Sequence, residues 1–178
     1  MLLCQTKYQS PVGELQLIAD DNHLLLLKFL RSKNMENFIN SKFSNHKIYN
    51  KKNDILNHTI SQLSDYFSGE RTEFNIPLSF MYGTDFEINV WKTLLSIKFG
   101  ETKSYLDIAR LINNPFSYRA VGNANNKNPI AIIIPCHRVV ANDASLGGYG
   151  GGLEIKKNLL NLESKNKHLG ILFSKMDN

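Results

Sequence analysis

A thiol, an imidazole and a guanidinium stand consecutively at Cys136-His137-Arg138, between Pro135 and Val139-Val140. An imidazole beside a thiol can draw off its proton, and the thiolate is the nucleophilic form. The Cys136 sulfur is therefore the candidate reactive atom. The triplet follows an apolar run, Ile130-Ala131-Ile132-Ile133-Ile134, which reads as a buried segment entered in an extended conformation from Asn128-Pro129. The polar pair after the thiol is expected to pull the exit of that segment toward a cleft or the surface. Soon after comes Leu146-Gly147-Gly148-Tyr149-Gly150-Gly151-Gly152, a loop whose backbone amides can approach a flat ligand closely. The plain alternatives are a cysteine used as core filler and a surface loop without a ligand.

Other chemistries fit the sequence less well. Neither CxxC nor HxxxH spacing occurs, and adjacent Cys136 and His137 cannot supply four tetrahedral ligands, so no metal is expected. The glycine loop lacks both the strand-led dinucleotide fingerprint and a Walker-type Gly-Lys-Ser/Thr. A hydrolytic triad of Cys136, His137 and an acid stays open as a rival. Glu163 is the acid of choice, although a glutamate near a helix end is ordinarily solvated. Neighbours along an extended segment point to opposite faces. Contact between thiol and imidazole therefore needs a turn or a bridging water.

The elements that position these groups fall into two parts. At 178 residues, 42% hydrophobic and 21% charged, the chain suits one globular domain or two small ones sharing an interface. No apolar stretch approaches the roughly 18 residues of a membrane span. The first residues lack the character of a secretory signal. With only Cys4 and Cys136 as cysteines, free thiols in the cytoplasm are expected. Of the net charge of +5, one detail matters most. No acid lies between Asp107 and Asp143, a stretch holding Arg110, Arg119, Lys127 and Arg138. Such a stretch suits a nucleic-acid face, and chance explains it equally well.

Residues 1–82 read as a small α/β domain. Gly13–Ala19 and Leu24–Phe29 flank the turn-forming Asp20-Asp21-Asn22-His23 as a hairpin of an antiparallel sheet. Residues 34–53 are weakly patterned, a helix and a connection. From Asp54, apolar residues at helical spacing run to Gly69, a C-cap. Residues 83–170 form the second domain, with 171–178 a loose tail. There Thr84 caps a helix carrying Phe86, Val90, Leu94 and Ile97, ended by Gly100. Thr102 or Ser104 caps the next. Asn113-Asn114-Pro115 breaks it before a helix over Ser117–Asn125, giving a helix-turn-helix pattern. The last helix carries Leu153, Lys156, Leu159, Leu160 and Glu163.

With these motifs in this order, the chain resembles the O6-alkylguanine-DNA alkyltransferases, or methylated-DNA–protein-cysteine methyltransferases. The resemblance covers most of the chain and is dense from Gly83 to Glu163. Its anchors are Gly83-Thr84 with Trp91, Gly100 through Tyr105, Arg119-Ala120-Val121-Gly122, Asn128-Pro129-Ile130, the PCHRV motif at Pro135–Val139, and Tyr149, Gly151-Gly152, Lys156 and Glu163. The first half matches more loosely, through Ser10-Pro11, Gly13, Leu15 and Tyr66–Gly69.

The resemblance implies a ribonuclease H-like first domain and a winged helix-turn-helix in the second. It implies a monomer that needs no cofactor and acts on double-stranded DNA containing O6-alkylguanine, with O4-methylthymine a second candidate substrate. The damaged base is flipped out of the duplex by a helix entering the minor groove. By the same resemblance Arg119 fills the gap left by the base, and Tyr105 contacts and helps rotate the nucleotide. Ser104, Ala120 and Gly122 join the DNA face, and Ala124 adds a further small residue for close approach. Asn128 ties the helix-turn-helix to the active-site segment. Carbonyls of Cys136 and Val139, the amide of Gly150 and the Tyr105 hydroxyl read the guanine, beside Tyr149. Glu163 orients His137, which deprotonates Cys136 through water, and Tyr105 supplies a proton to the leaving base. The thioether formed cannot be reduced by cellular thiols, so each molecule reacts once.

Three departures stand out. Asn113-Asn114-Pro115 replaces a turn that commonly begins with glycine, Gly150 stands where relatives often carry serine, and Cys4 lacks companions for the zinc site of some relatives. A lesion-binding protein without transfer is a rival reading, distinguished by an unmodified Cys136.

Overall fold

Alternating apolar residues and a tight turn build the first half of the protein, seen in a computed structural model that describes residues 2–30, 34–143 and 145–166. Strand β1 (Leu2–Ser10), β2 (Gly13–Ala19) and β3 (Leu24–Phe29) are joined in antiparallel register, Tyr8 opposite Leu15 and Leu17 opposite Leu27. The β2–β3 turn closes because Asp20 Oδ1 accepts the amides of Asn22 and His23 at 2.8 and 2.6 Å. The hairpin is as expected. Two strands exceed the expectation. β1 lies ahead of the expected hairpin, and a fourth strand, β4 (Lys47–Asn50), lies in the weakly patterned stretch and pairs parallel to β1. The sheet order is β3-β2-β1-β4, so the sheet is mixed, antiparallel with one parallel edge.

Both faces of this sheet are covered. Leu15, Leu17, Ala19 and Leu27 pack with Leu56, Leu63 and Tyr66 of α2 (Asp54–Ser68), while Leu3, Ile18, Leu25 and Leu26 pack with Phe43 of α1 (Met35–Phe43). Each fully buried Leu or Ile contributes about 1.5–3 kcal/mol of transfer free energy. Helix α2 starts where Asn53 Oδ1 accepts the Leu56 amide and ends at Gly69, in the left-handed region at φ 83°.

The second half is helical. Thr84 caps α3 (Asp85–Leu94) in a reciprocal capping box with Glu87. The helix stops at Leu94, six residues before Gly100. Gly100, at φ 72°, turns the chain instead, and its amide donates to Glu163 Oε2 at 3.0 Å. Ser104 caps α4 (Tyr105–Leu111) through a second capping box, with Asp107. Asn113 takes φ 57° at the turn, a left-handed position that asparagine tolerates better than other residues with a side chain. A 3₁₀ turn (Pro115–Ser117) then leads into α5 (Tyr118–Asn126), completing the helix-turn-helix. Trp91 of α3, fully buried, donates its indole N–H to the Ala124 carbonyl of α5 at 2.8 Å. Ala124 therefore faces the interior, not the DNA side on which it was placed. The remaining elements are β5 (Lys103–Ser104) and β6 (Val139–Val140), a two-stranded parallel pair, and α6 (Leu153–Lys165). The expected tail, 171–178, lies outside the described residues, as do residues 167–170.

The apolar run before Cys136 is buried, yet it is not extended. Asn128 Oδ1 accepts the Ile130 amide at 3.0 Å, and Ile134 N–H closes back on the Ile130 carbonyl at 3.0 Å. The run is a turn with fully buried Ile132 at φ 70°. A β-branched residue in that region costs on the order of 1–3 kcal/mol, which the surrounding packing must offset. Leu27 of β3 straps this turn to the sheet, donating to the Pro129 carbonyl at 2.9 Å and accepting from Ala131 at 2.8 Å.

Candidate active site and nucleic-acid interface

Cys136, His137 and Arg138 form one 3₁₀ turn rather than the exit of a strand. Successive side chains on such a turn diverge by roughly 120°, so thiol and imidazole point different ways. The polar pair does not reach the surface as expected. His137 is 0% exposed, Arg138 6% and Cys136 5%. The interior accepts them because α6 delivers Glu163, itself 0% exposed. His137 Nε2 lies 2.8 Å from Glu163 Oε1, and Arg138 donates Nε to Oε2 at 2.9 Å and Nη2 to Oε1 at 3.0 Å. Glu163 is thus buried and committed, not solvated. Tyr66 of α2 adds its hydroxyl to Oε1 at 2.8 Å. Burial alone would raise this carboxyl, but His137 and Arg138 overcome it and hold Glu163 well below the usual range. Burial lowers the imidazole, against the pull of Glu163. The resting pair is therefore carboxylate and neutral imidazole, with Nε2–H donating. His137 Nδ1, also buried, has no hydrogen-bond partner among the described residues.

The thiol has its own contacts. Asn128 donates Nδ2 to Cys136 Sγ at 3.0 Å and to the Ile134 carbonyl at 2.8 Å. Asn128, two residues past the end of α5, is thereby bonded to the reactive turn. Burial pushes the thiol pKa above its ordinary value, and the Asn128 hydrogen bond and the ammonium groups of Lys156 and Lys28 offset part of that rise. Cys136, Asn128, Lys28, Tyr149, Gly150 and Gly151 line one cavity of about 90 Å³.

Lys156 of α6, fully buried, belongs to a helix stripe and to the anchors of the resemblance, neither of which gives it a role. Its ammonium donates to the carbonyls of Val139 at 2.5 Å, Gly148 at 3.4 Å and Leu146. Burial lowers its pKa to about 8. Tyr105 donates to the Gly148 carbonyl at 3.2 Å, and a Cβ on Gly147 would sit 2.9 Å from the Tyr105 ring. Glycine at 147, at φ 61°, is what lets this loop lie against Tyr105. Of the carbonyls expected to read a base, Val139's accepts Lys156 and Cys136's accepts the Val139 amide, each keeping a second lone pair.

The helix-turn-helix presents a shallow groove of about 340 Å³, lined by Tyr105, Tyr118, Arg119, Gly122, Asn123, Asn126 and Gly148. Arg119 and Ala120 are exposed, and Gly122 lies against the Tyr105 ring, 3.7 Å from where a Cβ would stand. Ser104 spends its hydroxyl on the Asp107 capping box. The four cations of the acid-free stretch do not act together. Arg138 is buried on Glu163, Lys127 pairs with Glu87 at 2.5 Å, and Arg110 with Asp107 at 3.7 Å. Arg119 has no carboxylate partner among the described residues, and its guanidinium lies 5.7 Å from the Tyr118 ring.

Sequence reasoning missed Tyr66, Lys156 and the inward role of Arg138. Lys156 and Glu163 carried a usable signal, being two charges seven residues apart on the same stripe as Leu159, where a solvated face was not available. Nothing in the sequence linked Tyr66 to a carboxylate so distant along the chain.

Comparison with known proteins places both halves of the chain. Residues 3–80 match the family model for the ribonuclease-like domain of 6-O-methylguanine DNA methyltransferase, and residues 85–165 match that for its DNA-binding domain. The methylated-DNA–protein-cysteine methyltransferase of Methanosarcina barkeri is 44% identical over 158 residues, 89% of this chain and 95% of its own. The crystal structure of the Mycobacterium tuberculosis O6-methylguanine methyltransferase superposes with a TM-score of 0.80 at 40% identity, covering 92% of this chain and 94% of that one. A structure of the M. tuberculosis protein in complex with DNA gives 0.79 at 39%, over 93% and 94%. With identity, coverage and a two-part layout in accord, the chain belongs to the methylated-DNA–protein-cysteine methyltransferase family.

Proposed function

We propose that this protein repairs double-stranded DNA by taking the alkyl group of O6-alkylguanine onto Cys136, once per molecule. The observation that carries the reading is the buried relay. Glu163 holds the Nε2–H of His137, leaving Nδ1 without a partner among the described residues, and Cys136 stands on the same turn with its sulfur held by Asn128. His137 accepts a proton from water at Nδ1 while that water takes the thiol proton. The thiolate attacks the alkyl carbon, the carbon–O6 bond breaks, and the C–S bond forms. Guanine leaves as an anion and takes a proton from the Tyr105 hydroxyl.

A stacked base offers no path for such an attack, so the nucleotide is turned out of the duplex. Arg119, the unpaired cation of α5, fills the space it leaves. Ala120 and Gly122 let the helix backbone approach the minor groove, and Ser104 fixes the start of the helix that carries Tyr105. Tyr149 and the Gly150 amide border the cavity beside the thiol and receive the base. The protein acts as a monomer in the cytoplasm, with its two domains dividing near residue 82. Among the described residues no helix is long and apolar enough to cross a membrane.

The test is peptide mass after mixing the protein with a duplex containing one O6-methylguanine. One methyl on the peptide carrying Cys136, never more than one per molecule, is the expected result. Binding to the lesion with Cys136 unmodified would replace repair by lesion sensing. Repeated turnover of an ester in the absence of DNA would favour the hydrolase.

A further inference from the structure

Lys28, on β3 of the N-terminal sheet, reaches into the reactive cavity from the other half of the chain. Its position is fixed by the neighbouring residue, because both backbone groups of Leu27 bond the turn that precedes Cys136. From there the Lys28 ammonium donates to the Asn128 carbonyl at 3.5 Å. Asn128 in turn donates its side-chain amide to Cys136 Sγ at 3.0 Å. Lys28, Asn128 and Cys136 line the same cavity of about 90 Å³.

Lys28 is half-buried, yet among the described residues no carboxylate pairs with it. Its other close neighbour is the Phe38 ring of α1, 4.9 Å away. Withdrawing a cation from water without a counter-ion is unfavourable. An anion forming at Cys136 would offset that cost. Burial lowers the Lys28 pKa, and a thiolate at Cys136 acts in the opposite sense.

We propose that Lys28 is a positioning residue of the transfer reaction, its ammonium holding the Asn128 carbonyl and stabilising the Cys136 thiolate. The sheet thereby supplies charge to the site as well as support. Other groups face the thiol: Lys156 from α6, Tyr105 from α4 and Tyr149 from the glycine loop, with His137, Arg138 and Glu163 behind the turn. Lys156 is committed to three carbonyls. Lys28 makes one long bond and is the less committed cation.

The inference rests on the nucleophilic role of Cys136, and its test separates the two. The rate of Cys136 alkylation by iodoacetamide is followed against pH by peptide mass in the parent protein, Lys28→Met and Lys28→Arg. Transfer from an O6-methylguanine duplex is timed in parallel. An opposite charge within about 4–6 Å shifts a pKa by about one to three units. For a half-exposed cation the expected rise in midpoint for Lys28→Met is about one pH unit, with transfer near neutrality about tenfold slower. Lys28→Arg restores both. An unchanged midpoint in folded Lys28→Met overturns the proposal, as does a midpoint that Arg leaves as high as Met does. If Lys28→Met does not fold, Lys28→Gln takes its place under the same criteria. A parent protein that takes no methyl from the duplex refutes the repair reading, while the alkylation profiles still decide the role of Lys28.

Discussion

The sheet half and the helical half of this protein bury different chemistry. Around β2 and β3 the buried side chains are mostly leucine and isoleucine, with Cys4, Ala19, Phe29, Phe43 and Tyr66, relieved by Ser10, Gln16 and Thr59. Around the reactive turn they include His137, Arg138, Lys156 and Glu163, together with Asn125 and Asn128. Apolar burial is non-directional and rewards area. Buried charge rewards geometry, and a hydrophobic replacement of similar volume is often at least as stable. The helical half therefore accepts a costly interior in return for a fixed imidazole and a shielded thiol. The apolar cluster that runs through both halves, from Leu15 and Leu27 to Trp91, Val121 and Leu159, supplies the stability that this arrangement draws on.

The largest test of that contrast is Glu163→Gln. The substitution keeps the volume but strips Arg138 of its counter-ion and His137 of its orienting carboxylate. Breaking a buried pair from one side costs about 3–5 kcal/mol, to be read from urea melts. Methyl transfer, normalised to folded protein, is expected to fall by at least an order of magnitude as well. The parent's pH dependence has a definite sign. Glu163 has a depressed folded pKa, so its contribution is present above the unfolded value near 4.3 and is lost as pH falls toward the folded one. His137 is also depressed, so an unfolded chain takes up its proton below about pH 6.5 before the folded protein does. Parent stability should therefore decline steadily from about pH 6.5 downward. Glu163→Gln should lack the steeper part below about pH 4.3. Equal slopes for parent and variant there would contradict the assignment of the buried charge.

Leu17→Ala attacks the opposite side of the comparison. Leu17 is fully buried between the sheet and α2, and the cavity left behind should cost about 2–5 kcal/mol. Per folded molecule, however, methyl transfer should match the parent, because Leu17 lies opposite Leu27 in the β2–β3 pair while the strap runs through the backbone groups of Leu27 to Pro129 and Ala131. A slowed transfer in the fully folded variant would mean that the sheet tunes the site through packing, and the division drawn above would fail.

What the sequence disclosed follows the same division. The hairpin was legible because alternation and the Asp20–His23 turn act within a few residues, and the helix cap at Thr84 was legible for the same reason, with Ser104 one of two candidates for the next. Strand β4 was not, since its four residues are mostly exposed and its pairing with β1 is parallel and distant in sequence. The apolar run at Ile130–Ile134 was read as extended because composition cannot reveal that Asn128 folds it into a turn. Cys136, His137 and Glu163 were found as residue types. Their burial was misjudged, because the partners that make it tolerable, Tyr66 and Arg138, meet Glu163 only through tertiary packing. Ser104 was assigned to the DNA face, whereas its hydroxyl is engaged locally with Asp107.

The smallest expected effect sharpens the comparison most, since it sets one cysteine against the other. Cys4 and Cys136 are both free and both buried. Cys4 lies in β1, paired across from Ala19 and Tyr49 within the apolar cluster of the sheet. Cys136 has an amide donor on its sulfur and two ammonium groups acting on it. Reactivity follows the charged surroundings that favour thiolate and not the thiol as such. Cys4→Ala should cost about 1 kcal/mol of stability, as a small deletion in a packed core, and leave transfer stoichiometry at one methyl per molecule. In the parent, iodoacetamide at neutral pH should label the Cys136 peptide well before the Cys4 peptide. Labelling of Cys4 at a comparable rate in the folded protein would show that burial in the sheet does not silence a thiol, and would remove the electrostatic basis for the difference between the two halves.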